Sequence, residues 1–295
     1  MNTTSDKPAI GMIGTGLMGF GIASNLQQHG FHLNLLEHSG NQPLEKLLTN
    51  GAKSYLQIDE IARHSDIVII CVTGSPEVEQ VLTCANGLLA GLKPGTIIID
   101  CSTSLPDATR KNAAKIAAAG GEFLDAPMTR TPKEAMQGRL NLIVGGDKAL
   151  FERCKPILSC FAENITYAGA IGSGHSMKLL HNYVSLGFAT VLSEASACAE
   201  KEEIDPSILI DVLAKGGGAG VILERMTPFI LNQDDSGFRF SIANAAKDLG
   251  YYIQMAQNVG ATDQVAQAIA QLLAKTANEV SLDTAMPQLI KQFNQ

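Results

Sequence analysis

From Lys7 to about Ala168, short runs rich in Ile and Val alternate with stretches whose apolar residues recur every three to four positions. Runs that are apolar at every position, rather than at every second one, belong to strands covered on both faces, as in a parallel sheet flanked by helices. The pattern predicts strands over 9–13, 32–37, 67–72, 96–100, 122–125 and 141–144. The helical stretches between them are well punctuated. Ser75-Pro76 reads as an N-cap and first helical position, and Pro106 opens a run that stops at Gly120-Gly121. Past Gly172-Ser173-Gly174 the texture changes: no strand-like run follows, and helices are broken by Gly216-Gly217-Gly218 and the polar loop 232–237. The segment 175–201 contains no proline and a single glycine, Gly187. It predicts a helix of roughly 40 Å at about 1.5 Å per residue.

A chain of 295 residues accommodates one large and one smaller domain. Its 45% hydrophobic and 17% charged residues are those of a compact globular protein, and a net charge of −7 repels polyanions, so no nucleic-acid partner is expected. The six cysteines form no C-x-x-C pair and read as reduced packing residues. No metal-ligand cluster is read. The start of the chain lacks a basic segment followed by a long apolar one, and no apolar stretch reaches about 18 residues. These features predict a cytoplasmic protein without a membrane partner.

The first predicted strand runs directly into Gly14-Thr15-Gly16-Leu17-Met18-Gly19, followed by Ile22, Ala23 and Leu26 at helical spacing. A G-x-G-x-x-G turn in that context suits a dinucleotide. Gly14 permits the tight turn, Gly16 lets the backbone approach the pyrophosphate, and Gly19 lets helix and strand pack closely. Free N–H groups at the helix start, those of Leu17 and Met18 among them, take the phosphates. The second predicted strand ends at Glu37, near the ~20-residue offset at which a carboxylate meets the adenosine ribose. That carboxylate repels a 2′-phosphate, and no arginine follows in Glu37-His38-Ser39-Gly40-Asn41, so NAD is expected in preference to NADP. Val72 and Thr73, at the end of the third predicted strand, are placed to touch a cofactor ribose. The expected architecture is a Rossmann-type α/β domain over 1–168. An all-α domain over 169–295 follows, led by a long interdomain helix and serving substrate binding and oligomerisation.

A second informative region lies on that helix. Lys178, His181, Asn182 and Ser185 fall at i, i+3, i+4 and i+7 and share one face, while the other faces carry Met, Leu, Val, Phe and Ala. A polar stripe on an otherwise apolar helix faces solvent, a partner or a ligand. A lysine beside an amide is also what carbonyl reduction requires: a proton donor for the nascent alkoxide, held by a second group.

In these motifs the chain resembles the β-hydroxyacid dehydrogenase family, which includes 3-hydroxyisobutyrate dehydrogenases and sulfolactaldehyde reductases. The resemblance covers nearly the whole chain. It rests on the glycine turn with Ala23-Ser24-Asn25-Leu26, on Asp125-Ala126-Pro127, on Gly172-x-Gly174-x-x-x-Lys178-x-x-x-Asn182 and on Lys247-Asp248-Leu249, in that order. It implies that Lys178 is the catalytic acid/base, that Asn182 orients substrate or lysine, and that Lys247 lies near the nicotinamide ribose. Asp100-Cys101-Ser102-Thr103 resembles the family's D-x-S-T segment, in which Ser102 would meet substrate and Thr103 cofactor.

One departure bears on the substrate. Many members follow D-x-P with a valine, a serine and two glycines whose N–H groups receive a carboxylate, whereas here Arg130 and Thr131 replace the glycine pair. A guanidinium fork and a hydroxyl suit a carboxylate, sulfonate or phosphate, as in the sulfolactaldehyde variant. A salt bridge from Arg130 to Glu134 is the bland alternative. His181 stands where those reductases have a second asparagine, which places His181 and Ser185 among the expected substrate contacts. The implied activity is NAD-dependent interconversion of a small anionic hydroxy acid and its aldehyde. Alternatives are imine reduction on the same scaffold and a catalytically inactive NAD-binding protein. Decarboxylating sugar-phosphate relatives carry a much larger helical domain. The apolar helix also predicts a homodimer or homotetramer.

Overall fold

In a computed structural model, which describes residues 7–294, nine strands form one sheet. Residues 1–6, which enter the reading of the chain's start, lie outside the described residues. The strands are β1 (Ile10–Ile13), β2 (Leu33–Leu36), β3 (Lys53–Tyr55), β4 (Ile67–Ile70), β5 (Ile97–Asp100), β6 (Glu122–Asp125), β7 (Met128–Thr129), β8 (Leu140–Gly146) and β9 (Ala162–Gly169). The order is β3-β2-β1-β4-β5-β6-β8-β7, with β9 paired to β8, and the first six are mutually parallel. This is the doubly wound arrangement expected from the sequence.

Every residue of β1, β2, β4 and β5 is buried. The two-residue side-chain period sends Ile67 and Ile69 into one apolar cluster and Val68 and Ile70 into another, one on each face of the sheet. The strands without an apolar run were not anticipated. β3 is three residues with none buried, β7 is two residues long, and the apolar residues of β9 are interrupted by Glu163, Asn164 and Thr166. β6 and β7 share one edge of β8, at Gly145–Gly146 and Asn141–Leu142 respectively, with Ala126-Pro127 between them.

The predicted helix after Pro106 is observed as Pro106–Ala118. Ser75 lies inside the helix Ser75–Thr83, whose N-cap is Gly74; the Ser75 hydroxyl instead accepts the Leu105 N–H at 2.7 Å.

The chain divides into two units, the second starting at Leu179, within the 29-residue helix Ser173–Lys201. After β9 the named elements are all helical: Pro206–Ala214, Val221–Asn232, Ile242–Asn258, Gln264–Glu279 and Leu289–Asn294, with two short 3₁₀ turns. Leu186, Met226, Phe229, Ile242, Leu249 and Leu273 form the core of the second unit. Among the described residues no helix is long and apolar enough to cross a membrane.

Candidate active site

The glycine turn is built as its spacing requires. Gly14 adopts φ 90°, and a Cβ there would lie 2.2 Å from the Cys71 carbonyl oxygen; at Gly19 it would lie 1.9 Å from the Gly14 carbonyl oxygen. Both glycines are imposed by the protein's own packing. At Gly16 the nearest atom to an added Cβ is the Gly40 carbonyl oxygen at 3.7 Å, an ordinary contact. The protein therefore leaves open the one position at which a pyrophosphate must approach the backbone. The helix Leu17–Gln28 that follows has no side-chain cap and no acidic residue in its first turn, which leaves its N–H groups and positive dipole end available to an anion.

Asn41 secures the turn to the end of β2, accepting the Thr15 N–H at 3.4 Å and donating to the Leu36 carbonyl at 2.8 Å. Beside it a cavity of about 510 Å³ is lined by Glu37, His38, Ser39, Asn41, Gln42, Leu44, Glu45 and Leu48. Two carboxylates and no lysine or arginine stand among these lining residues. Glu37 is exposed immediately after β2, where a ribose-binding carboxylate belongs. The geometry of turn and cavity fits a dinucleotide.

At the neighbouring strand ends the structure separates side chains that the sequence grouped together. Thr73 is exposed, and Val72 and Thr103 are half-buried. Ser102 is buried: its hydroxyl accepts the Val72 N–H at 3.0 Å, and its own N–H donates to Asp100 Oδ1 at 2.9 Å. Through the first of these bonds Ser102 ties the end of β4 to β5. Burial pushes the Asp100 carboxyl above its ordinary range, opposed by the charge of the His175 ring beside it.

Arg130 and Thr131 are also engaged elsewhere. Arg130 sits at φ 83°, a left-handed conformation that favours glycine, and its Nη1 donates to the Arg139 carbonyl and to the Glu163 carboxylate. Arg139 Nη2 lies 3.3 Å from the same carboxylate, and the two guanidinium groups hold the Glu163 carboxyl below its usual range. Thr131 is the N-cap of the helix Pro132–Met136, forming a capping box with Glu134. The anion-receiving pair read from the sequence is thus an ion pair and a helix cap. The partner of Arg130 is Glu163 on β9, an edge strand invisible to the apolar pattern, because Glu134 is already taken by the cap. Asn25 locks this segment to the glycine-turn helix, donating to the Ala135 carbonyl at 2.9 Å.

The helix Ser173–Lys201 carries the remaining candidates. Lys178 is only 7% exposed and Asn182 4%, whereas His181 is exposed and Ser185 half-buried. In the second unit Asn182 Nδ2 donates to Asp248 Oδ2 at 2.6 Å, and Lys247 Nζ lies 3.3 Å from Asp248 Oδ1. His181 Nδ1 is 3.0 Å from the other end of the same amide, Asn182 Oδ1. The structure therefore brings together His181, Asn182, Asp248 and Lys247. Asp248, 2% exposed, turns the Asn182 amide so that its oxygen meets the histidine.

Two family models match this chain: the NAD-binding domain of 6-phosphogluconate dehydrogenase over residues 9–169, and the NAD-binding domain of NADP-dependent 3-hydroxyisobutyrate dehydrogenase over residues 172–293. The chain belongs to the β-hydroxyacid dehydrogenase family. It is 33% identical to 2-hydroxy-3-oxopropionate reductase of Escherichia coli, over 84% of each chain. It is 31% identical to 3-sulfolactaldehyde reductase of the same organism, over 85% of this chain and 84% of that one. The solved structure of Mycobacterium tuberculosis 3-hydroxyisobutyrate dehydrogenase with L-serine superposes with a TM-score of 0.86 at 26% identity, covering 98% of this chain and 99% of that one. Like its relatives in the family, this protein is an NAD(P)-dependent oxidoreductase acting on hydroxyl groups.

Three further residues at the strand ends were not singled out as site residues by sequence. Asp100 and Asp125 stand in register at the carboxyl ends of adjacent strands, and His175 is fully buried between them, with ring nitrogens 3.9 Å from each carboxylate. Asp125 accepts the N–H groups of Gly172 at 2.8 Å and His175 at 2.9 Å, which anchors the start of the long helix. Asp125 and Gly174 lie in the family's motifs, but only coordinates show the motifs meeting: a Cβ on Gly174 would lie 2.7 Å from Asp125 Oδ2.

Proposed function

We propose that this dehydrogenase interconverts a small anionic hydroxy acid and its aldehyde, with Lys178 as the acid/base and NAD preferred over NADP. The observation that carries this reading is the burial of Lys178, at 7% exposure, one helical turn before an asparagine whose amide is fixed by a buried carboxylate. Lysine is almost never fully buried unless it is paired. A nicotinamide cofactor held by the glycine turn would supply the hydride for reduction at the carbonyl carbon. The Lys178 ammonium gives its proton to the carbonyl oxygen as negative charge develops there, and Asn182 holds the same oxygen. In oxidation Lys178 takes the proton back.

Lys178, and Lys247 in the second unit, are cationic groups of the kind an acid substrate calls for. With Arg130 and Thr131 engaged elsewhere, the side chains that define the sulfonate-type variant do not favour a sulfonate over a carboxylate. An imine substrate would need no such cationic groups, and a silent NAD-binding protein would need no buried lysine. The preference for NAD is supported by Glu37 and Glu45 in the cavity wall, carboxylates that would repel a 2′-phosphate.

A homo-oligomer is supported by Met177, Leu180, Val184 and Val191, exposed along one stripe of the long helix, and by the helix Pro206–Ala214, which has no buried residue.

The deciding experiment measures initial rates with NADH and NADPH against tartronate semialdehyde, methylmalonate semialdehyde, succinate semialdehyde, sulfolactaldehyde and glyoxylate. Lys178→Ala should lower kcat by about 10²-fold or more with NADH affinity retained. Unchanged turnover in that variant would remove Lys178 from the mechanism.

A further inference from the structure

We propose that His175 is a positioning residue for the reaction, fixing the first turn of the helix Ser173–Lys201 and, through that turn, the ammonium of Lys178. The inference rests on the reading of Lys178 as the proton donor. His175 is 0% exposed, and its two ring nitrogens meet different segments. Nε2 lies 3.1 Å from the Ser102 carbonyl oxygen, which can only accept, so Nε2 carries the hydrogen of that bond. On the opposite edge, Nδ1 lies 2.7 Å from Thr109 Oγ1 on the helix Pro106–Ala118. The backbone N–H of the same residue donates to Asp125 at the end of β6. One side chain and its peptide therefore tie the turn to β5, to β6 and to a helix packed against the sheet.

The turn has no slack in which to move. A Cβ on the preceding Gly174 would lie 2.4 Å from the Ile143 carbonyl oxygen. Lys178 follows His175 by three residues, so the two share a helix face, and a rotation or slide of the first turn moves the lysine with it. A leucine would fill the same space in a dry core without desolvating a polar ring. What a leucine cannot do is fix the rotation of the turn by directed bonds at both edges. A misplacement of about 1 Å in a reacting group can cost about 10²-fold in rate.

The test compares His175→Leu, His175→Gln, Thr109→Val and Lys178→Ala, with NADH and the panel aldehyde that the wild type turns over fastest. In His175→Leu kcat should fall by about 10-fold or more per folded enzyme, while KM for NADH stays within about 2-fold. His175→Gln keeps an N–H for the Ser102 carbonyl and a polar amide group facing Thr109 Oγ1, and should recover kcat to within about 3-fold of wild type. A purely structural role would lower Tm in His175→Leu and leave kcat of the folded fraction untouched, and that result overturns the proposal. So does a glutamine variant as slow as the leucine variant. If His175→Leu does not fold, Thr109→Val decides: it removes the hydroxyl at Nδ1, and the proposal requires kcat to drop without a change in KM for NADH. Wild-type turnover in Lys178→Ala would overturn both readings together. Loss of turnover there, with wild-type turnover in His175→Leu, overturns this one alone.

Discussion

Two buried aspartates hold the long helix Ser173–Lys201, and they hold different parts of it. Asp125, at the end of β6, accepts backbone N–H groups at the first turn, those of Gly172 and His175. Asp248, on the helix Ile242–Asn258, accepts a side-chain amide further along, that of Asn182. A carboxylate spent on backbone donors at a helix N-terminus fixes where the helix is, with its charge balanced by the dipole. A carboxylate spent on a side-chain amide fixes which way that amide points, and leaves the helix path to apolar packing around Leu186, Ala189 and Leu192. The first arrangement should therefore fail as instability and the second as lost chemistry.

The largest effect separates them most sharply. Asp125→Ala strips two buried N–H groups of their acceptor and leaves His175 beside Asp100 alone. A loss of about 3–5 kcal/mol is expected, in the range for breaking a buried charged cluster. Urea denaturation followed by circular dichroism measures it, and a loss below about 1 kcal/mol would mean that the helix start is held by something else. Asp248→Ala should behave in the opposite way. The Asn182 amide loses its 2.6 Å bond and is free to flip, so kcat should fall about 10-fold or more, equivalent to about 1.4 kcal/mol of barrier. Stability should change less than in Asp125→Ala. Equal losses of stability in the two variants would erase the distinction.

How much of this was legible in the sequence differs between the two regions for a physical reason. The glycine turn, the central strands and the long helix are local patterns: Gly14 is dictated by its positive φ in the turn, Gly19 by its contact with Gly14 within the same strand–turn–helix, and β1, β2, β4 and β5 by unbroken apolar runs. Lys178 and Asn182 stand out in the sequence because four polar residues on a helix share a face, but that pattern does not show that these two are buried and His181 exposed. Arg130 was read correctly as a departure from a glycine position, and its φ of 83° shows the backbone still in the glycine-like conformation. Its partner was not legible, since Glu163 lies 33 residues away on a polar edge strand. The bond that Ser102 makes was equally illegible, because the N–H it accepts belongs to a neighbouring strand. The buried pairs of Asp125 and Asp248 join motifs 47 and 66 residues apart. A motif shows that both members are present but not that they touch.

A smaller effect probes the charge balance of the first region. The Asp100 carboxyl is raised by burial, so its protonated form is the one the fold favours. A group of that sign contributes stability below its unfolded value of about 3.9 and loses it as pH rises through the folded value. Asp100→Asn mimics the neutral form and keeps an acceptor for the Ser102 N–H. Its Tm relative to wild type should therefore rise between pH 4 and pH 8, by about 2–4 °C for each kcal/mol gained. A constant difference across that range would mean that Asp100 titrates alike in the folded and unfolded chains.

The smallest effect tests whether this region is dry, on which the behaviour of Asp100 depends. Cys71 and Cys101 follow β4 and β5 at the same strand ends, and burial pushes the Cys71 thiol up to about 12 and the Cys101 thiol well above its ordinary value, each raised further by Asp100. Thiolate is the reactive form, so neither should react with a disulfide reagent at pH 8 in the native protein. Cys84 and Cys198 are exposed and should react at once, with complete labelling only in denaturant. Peptide mapping after a short pulse distinguishes the positions. Rapid modification of Cys71 would mean that water reaches the ends of β4 and β5. The desolvation that raises Asp100 would then be absent, and the two aspartates would differ only in what they bind, not in how dry their surroundings are.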